Sequence, residues 1–240
     1  MGLINGGQII SIVRDYRLLW MPGKFAGGKS SFAIYLAGLL AKENGYRIIT
    51  NMWTVWNDDI EEVRLLENGM LKCVVILDEG GLHFKSSAQI EQIAAYASKM
   101  DCIYIIPSFF PPTPKAQVVT VQPVYSLKAA GIPAIRYEWQ VRVEGWRDQG
   151  TFWWWWPYEI YGVYSRQHPG TRPERIIQFL VERMEDYVRQ FEGDSTDSLP
   201  EMEQGSIEDL LYDAVGQISE VSRNWSPVPA RKTKQKRKRF

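Results

Sequence analysis

The feature that most limits what this chain can become is the octapeptide Gly23-Lys24-Phe25-Ala26-Gly27-Gly28-Lys29-Ser30. It fits the spacing G-x-x-x-x-G-K-[ST]. Arg17 to Met21 reads as a short buried strand, and Lys29 to about Glu43 carries a helical pattern. A strand, a glycine turn and a helix in that order aim several backbone N–H groups at one point, where the helix dipole also attracts negative charge. The spacing arises by chance in about one chain in 100 of this length at average composition, so its position between strand and helix carries the argument. The expectation is a phosphate cradle formed by Gly23, Lys24, Phe25, Ala26, Gly27, Gly28, Lys29, Ser30 and Ser31. Lys29 would reach the β- and γ-phosphates, and Ser30 would ligate magnesium.

A second segment gives that cradle chemistry. Val74-Val75-Ile76-Leu77-Asp78-Glu79 is a hydrophobic strand ending in two carboxylates. Asp78 is expected to hold the magnesium shell through Ser30 or a water, and Glu79 to orient and deprotonate an attacking water. A carboxylate at position 79 favours hydrolysis over phosphoryl transfer to a substrate hydroxyl. ATP and Mg2+ are the cofactors this pairing implies.

Around these motifs the pattern alternates. Arg47 to Met52, Leu71 to Leu77 and Cys102 to Ile106 read as further strands, with helical patterns in at least two connections. The helix before the fourth strand shows Ile90, Ile93, Ala94, Ala97 and Met100 on one face, with Ser86 and Gln89 able to form a capping box. This predicts an α/β domain with a mostly parallel central sheet flanked by helices. Beyond Pro114, residues Ile135, Tyr137, Trp139, Val141 and Val143 alternate with polar neighbours, as in a half-buried antiparallel strand. A turn at Asp148-Gln149-Gly150 would lead into Phe152 to Trp156, and a further strand is expected near Ile160 to Tyr164. The hairpin extension spans about 117–165. Pro173 opens a last amphipathic helix ending near Gly193.

The expected domain covers 1–192. Residues 193–240 turn acidic and then basic, with a short amphipathic stretch at Ser206 to Val221, and read as a flexible tail. Charge gives no global attraction to nucleic acid, since 28 basic residues balance 28 acidic ones. Cys73 and Cys102 have no metal-ligand spacing and read as reduced core thiols. No secretory signal is visible at Met1 to Gly7. The longest apolar run, Phe32 to Ala41, is far shorter than the roughly 20 residues of a membrane span, so a soluble or peripheral cytoplasmic protein is expected. His83 and His168 lack ligand-spaced partners.

Taken together, these motifs resemble those of the additional-strand, catalytic-glutamate P-loop ATPases, and within them the HerA/FtsK superfamily with its viral packaging and Zot-like phage assembly branches. Lys24 in the second loop position, Thr50-Asn51 at the end of the second strand, Asp78-Glu79, and Ser98-Lys99 before the fourth strand carry the resemblance, over roughly Leu18 to Ser108. Gly80-Gly81 after the glutamate and Ser108 in place of the usual Gln depart from it. The resemblance implies that Ser108 contacts the γ-phosphate or the lytic water; a hydroxyl opening a turn before Pro111-Pro112 is the other reading. It also implies a ring of identical subunits, often hexameric, in which a neighbour inserts an arginine. Arg166 is the first candidate, and Arg172 or Arg175 the next, each being also a candidate surface ion pair. Double-stranded DNA is the expected partner, virion or portal components are possible further ones, and the location is host cytoplasm or virion.

Two features resist assignment. Trp153-Trp154-Trp155-Trp156 puts large rings on both faces of a strand, suited to core or subunit packing or to stacking bases. The run from Lys232 to Arg239 suits DNA phosphates, solubility, or pairing with the acidic stretch before it. The expected activity is ATP hydrolysis powering DNA translocation, in viral or phage genome packaging. A phage extrusion or assembly ATPase is its near alternative; a nucleotide-dependent switch and a small-molecule kinase are more distant ones.

Overall fold

In the computed structural model the described residues are 3–4, 6–24, 27–80, 95–112, 118–143, 146–155 and 160–192. The elements in chain order are β1 (Leu3–Ile4), α1 (Gly7–Tyr16), β2 (Leu18–Pro22), α2 (Lys29–Asn44), β3 (Arg47–Thr50), β4 (Met52–Thr54), β5 (Cys73–Ile76), α3 (95–99), β6 (Cys102–Ser108), β7 (Val119–Ser126), β8 (Ala134–Val143), β9 (Trp146–Trp155), α4 (Ile160–Val163), β10 (Tyr164–Pro169) and α5 (Pro173–Tyr187). The expected capping box at Ser86 and Gln89, and the tail beyond 192, lie outside the described residues.

Eight strands form one sheet in the order β1-β9-β8-β7-β2-β6-β5-β3. The five from β7 to β3 run parallel, and β8, β9 and β1 continue antiparallel. The α/β architecture with a central parallel sheet and an antiparallel extension is therefore present. β2 and β5 are not neighbours: β6 lies between them, pairing Met21 with Pro107 and Ile76 with Ile105. That continued pairing extends β6 two residues past Ile106, the end expected from its apolar run.

Strands buried on both faces read as continuous apolar runs because successive side chains enter different cores. In β5, Val74 and Ile76 join a core under α1 and α2, while Cys73 and Val75 join a second under α5 and α3. Each such aliphatic side chain, removed from water, contributes about 1.5–3 kcal/mol. α1 presents Ile9, Ile12 and Val13, the i, i+3, i+4 stripe of a helix packed on one side. At the sheet edge, the ladder groups of β3 are covered by side chains: Ile48 N–H donates to Asp58 Oδ2 at 2.7 Å and Thr50 N–H to Asn57 Oδ1 at 2.9 Å.

Three expectations are corrected. Asp148-Gln149-Gly150 is not a turn; it lies inside β9, and the hairpin reverses between Val143 and Trp146. Gly150 sits opposite Trp139, and a Cβ there would come within 2.7 Å of the indole Nε1. The glycine is a recess for a cross-strand ring rather than a breaker. Second, residues 160–163 are helical, and the strand after them pairs with β4 in a separate two-stranded sheet. Third, the strand expected over Arg47 to Met52 stops at Thr50, and Met52 begins β4.

The tryptophan run divides by face. Trp154 is fully buried against Phe32 of α2 at 5.3 Å between ring centroids, with Tyr137 and Phe152 completing the cluster. Trp153 and Trp155 lie half-buried on the opposite face; Trp156 is outside the described residues. Trp154 is thus a core residue. Among the described residues no helix is long and apolar enough to cross a membrane.

Candidate functional site

The glycine loop joins the end of β2 to α2. Gly28 precedes the helix with φ 88°, a left-handed conformation that a β-carbon disfavours, and a Cβ there would stand 2.5 Å from Ile135 Cδ1. Gly23, at φ 147°, and Gly27 lie against Pro123 of β7. The Tyr137 hydroxyl donates to the Gly28 carbonyl at 3.2 Å, and burial pushes that phenol well above its ordinary pKa, so it stays a donor. The loop is thus shaped by β7 and β8 as well as by its own glycines.

Lys29 and Ser30 begin α2 and are both buried. The Lys29 ammonium donates to the carbonyls of Gly23 (2.8 Å) and Lys24 (2.9 Å), which holds it inside the loop it would share with a phosphate. The Lys24 side chain is exposed. The Ser31 hydroxyl lies 2.5 Å from the Tyr164 hydroxyl, tying α2 to β10. Phe25 and Ala26 fall outside the described residues.

Across β6, the two-carboxylate segment meets the loop. Ser30 Oγ, in the first turn of α2, donates to Asp78 Oδ1, just past the end of β5, at 2.8 Å. A hydroxyl and a carboxylate oxygen at this distance are hard donors able to share a small divalent cation. Among the described residues no three His, Cys, Asp or Glu side chains converge as a metal site, so this pair would hold a cation together with oxygens from a ligand and water. Glu79 follows in a left-handed conformation, φ 56°, within a turn closed by Gly80 N–H to the Leu77 carbonyl at 3.0 Å. Its carboxylate Oε2 accepts the Phe109 N–H at 3.3 Å.

Ser108 is buried at the end of β6, and its hydroxyl oxygen accepts the Phe110 N–H at 3.1 Å. It does open a turn. Of the arginines, Arg175 pairs with Glu61, and with Glu182 at 3.6 Å. Arg172 is exposed at the start of α5, and the Arg166 side chain lies outside the described residues. A cavity of about 380 Å³ opens away from the loop, lined by Arg64, Arg183, Asp186 and Arg189. Two of its arginines are already bound to Asp186, so it reads as a surface ion-pair network.

Asn51 is the site residue whose role the motif pattern did not show. Its carboxamide binds the main chain of Asp78 in both directions, at 2.7 and 2.9 Å. Its place at a strand end, level with the carboxylate pair, is the signal that could have found it. The chain matches no protein-family model, and no curated protein is significantly similar to it.

Proposed function

We propose that the chain is a P-loop ATPase that binds ATP with magnesium and hydrolyses it to drive DNA translocation, in the manner of viral or phage genome-packaging motors. The observation carrying this reading is the 2.8 Å contact between Ser30, at the start of α2, and Asp78, just past β5, with Glu79 next in sequence. A sheet in which an additional strand separates the glycine-loop strand from the carboxylate strand supports the same class.

In this reading Ser30 and Asp78 would hold magnesium, which would supply positive charge against the phosphate groups of ATP. The glycine-loop amides and the start of α2 bind the phosphates. Lys29 exchanges its two carbonyl acceptors for phosphate oxygens, and Glu79 takes the proton from the attacking water. Extrusion or assembly of a phage would use the same site, and a ring of copies would supply an arginine, for which Arg166 is the candidate. The test is turnover by purified protein, with and without double-stranded DNA, alongside the native mass of the assembly. Lys29→Ala should abolish hydrolysis, and Glu79→Gln should retain ATP binding while stopping turnover. Normal turnover by Glu79→Gln would remove the assignment; DNA-indifferent turnover by a monomer would remove the motor.

A further inference from the structure

We propose that the backbone amide of Phe109 is a positioning group for Glu79, drawing its carboxylate across the end of β6 toward the glycine loop. The proposal rests on the reading of Glu79 as the group that activates water. It adds how a carboxylate rooted on β5 comes to face a phosphate site built on β2.

The sheet order sets the problem. β5 and β2 are each neighbours of β6, so Glu79 starts two strands, about 10 Å, from the loop strand. Its left-handed backbone turns the chain at the strand end, and the side chain then reaches the Phe109 N–H. The paired residues Pro22 and Ser108 put Phe109 level with Gly23, the first residue of the loop. A carboxylate bonded to that amide has therefore spanned one of the two inter-strand gaps toward the loop strand. A non-glycine residue at φ 56° is disfavoured by its β-carbon, and such strain is retained where the surroundings hold it.

The amide is itself fixed. Phe110 N–H donates to Ser108 Oγ at 3.1 Å, and Trp20 Nε1 of β2 donates to the Phe110 carbonyl at 2.8 Å. The turn that presents the Phe109 N–H is thereby pinned to the strand that delivers the glycine loop. Ser108 acts in this arrangement through the turn it stabilises, and the group that touches Glu79 is main chain.

The experiment removes the N–H and leaves Glu79 in place. In the full chain, Phe109 is replaced by its α-hydroxy analogue, which converts the amide to an ester. Phe109→Pro also lacks the donor and suits the extended residue before it. With ATP and Mg2+, kcat should fall about tenfold, while KM and the affinity for a fluorescent ATP analogue stay within twofold. If the proline variant fails to fold, the ester decides. An unchanged kcat overturns the proposal, and so does a parallel loss of kcat and nucleotide affinity, which marks a structural role. Glu79→Gln in the same assay separates the two levels. If it turns over normally, the underlying reading of Glu79 fails; if it is inactive while the ester is fully active, only the positioning role fails.

Discussion

Asn51 and Asp78 exchange two hydrogen bonds: Asn51 Nδ2 donates to the Asp78 carbonyl at 2.9 Å, and the Asp78 amide donates to Asn51 Oδ1 at 2.7 Å. β3 has ended at Thr50, so a side-chain carboxamide continues the ladder where the main chain departs toward β4. The backbone that carries the Asp78 carboxylate is thereby held level with Ser30.

Asn51→Ala removes both bonds and should cost about 2 kcal/mol, read from urea unfolding. It should also raise several-fold the Mg2+ concentration needed for half-maximal turnover, with nucleotide binding in the absence of Mg2+ little changed. Asn51→Asp keeps an acceptor but sets a carboxylate against the Asp78 carbonyl, and should be at least as damaging.

Gly150→Ala should destabilise the chain by about 1–3 kcal/mol, because the new methyl group occupies the space of the Trp139 indole. Nucleotide affinity should be unaffected. Chemical denaturation followed by circular dichroism gives the first quantity, and ATP titration the second. A neutral result would contradict the placement of Gly150 within β9.

Glu79→Gly should move stability and activity in opposite directions. Relief of the left-handed backbone raises stability by about 1 kcal/mol, while hydrolysis is lost with the carboxylate. A thermal unfolding scan beside a phosphate-release assay reads both.

Cys73 and Cys102 lie side by side on β5 and β6, buried, with their sulfurs 3.4 Å apart. The hydrogen bond with Cys102, together with burial, holds the Cys73 thiol well above its ordinary pKa. Iodoacetamide at pH 8 should label neither cysteine in the folded chain and both in urea, so that labelling tracks unfolding. A raised pKa on an acidic group stabilises the fold below the unfolded value, and the contribution is lost as pH rises through the folded value. Stability should therefore decline from about pH 8.5 upward, as urea midpoints at pH 7 and pH 9.5 can show.

What could be read from sequence was whatever a local pattern encodes. The apolar runs at 73–76 and 102–106 and the alternation from Ile135 to Val141 appear as strands, because burial on two faces or one leaves that imprint. The loop and the carboxylate pair were likewise legible from spacing. Gly150 misled because its role is set by Trp139 on the next strand, which no local window contains. Residues 160–163 misled because four residues are too few to show a period. β7 went unread, since Pro123 interrupts it and half its residues are exposed. A direct Ser30–Asp78 contact is one of two arrangements the motifs allow, the other running through a water, whereas the Asn51 clamp and the Phe109 contact arise only from the strand order.

The contacts around Gly28 join two parts of the domain that a motif search treats separately. Ile135 occupies the space a side chain at position 28 would need, Tyr137 bonds the Gly28 carbonyl, and Pro123 rests on Gly23 and Gly27. The floor of the glycine loop is therefore the inner surface of β7 and β8. A displacement of that surface reshapes the loop, and any group that reshapes the loop pushes on that surface in return. Strands β7 and β8 and the glycine loop form one mechanical element.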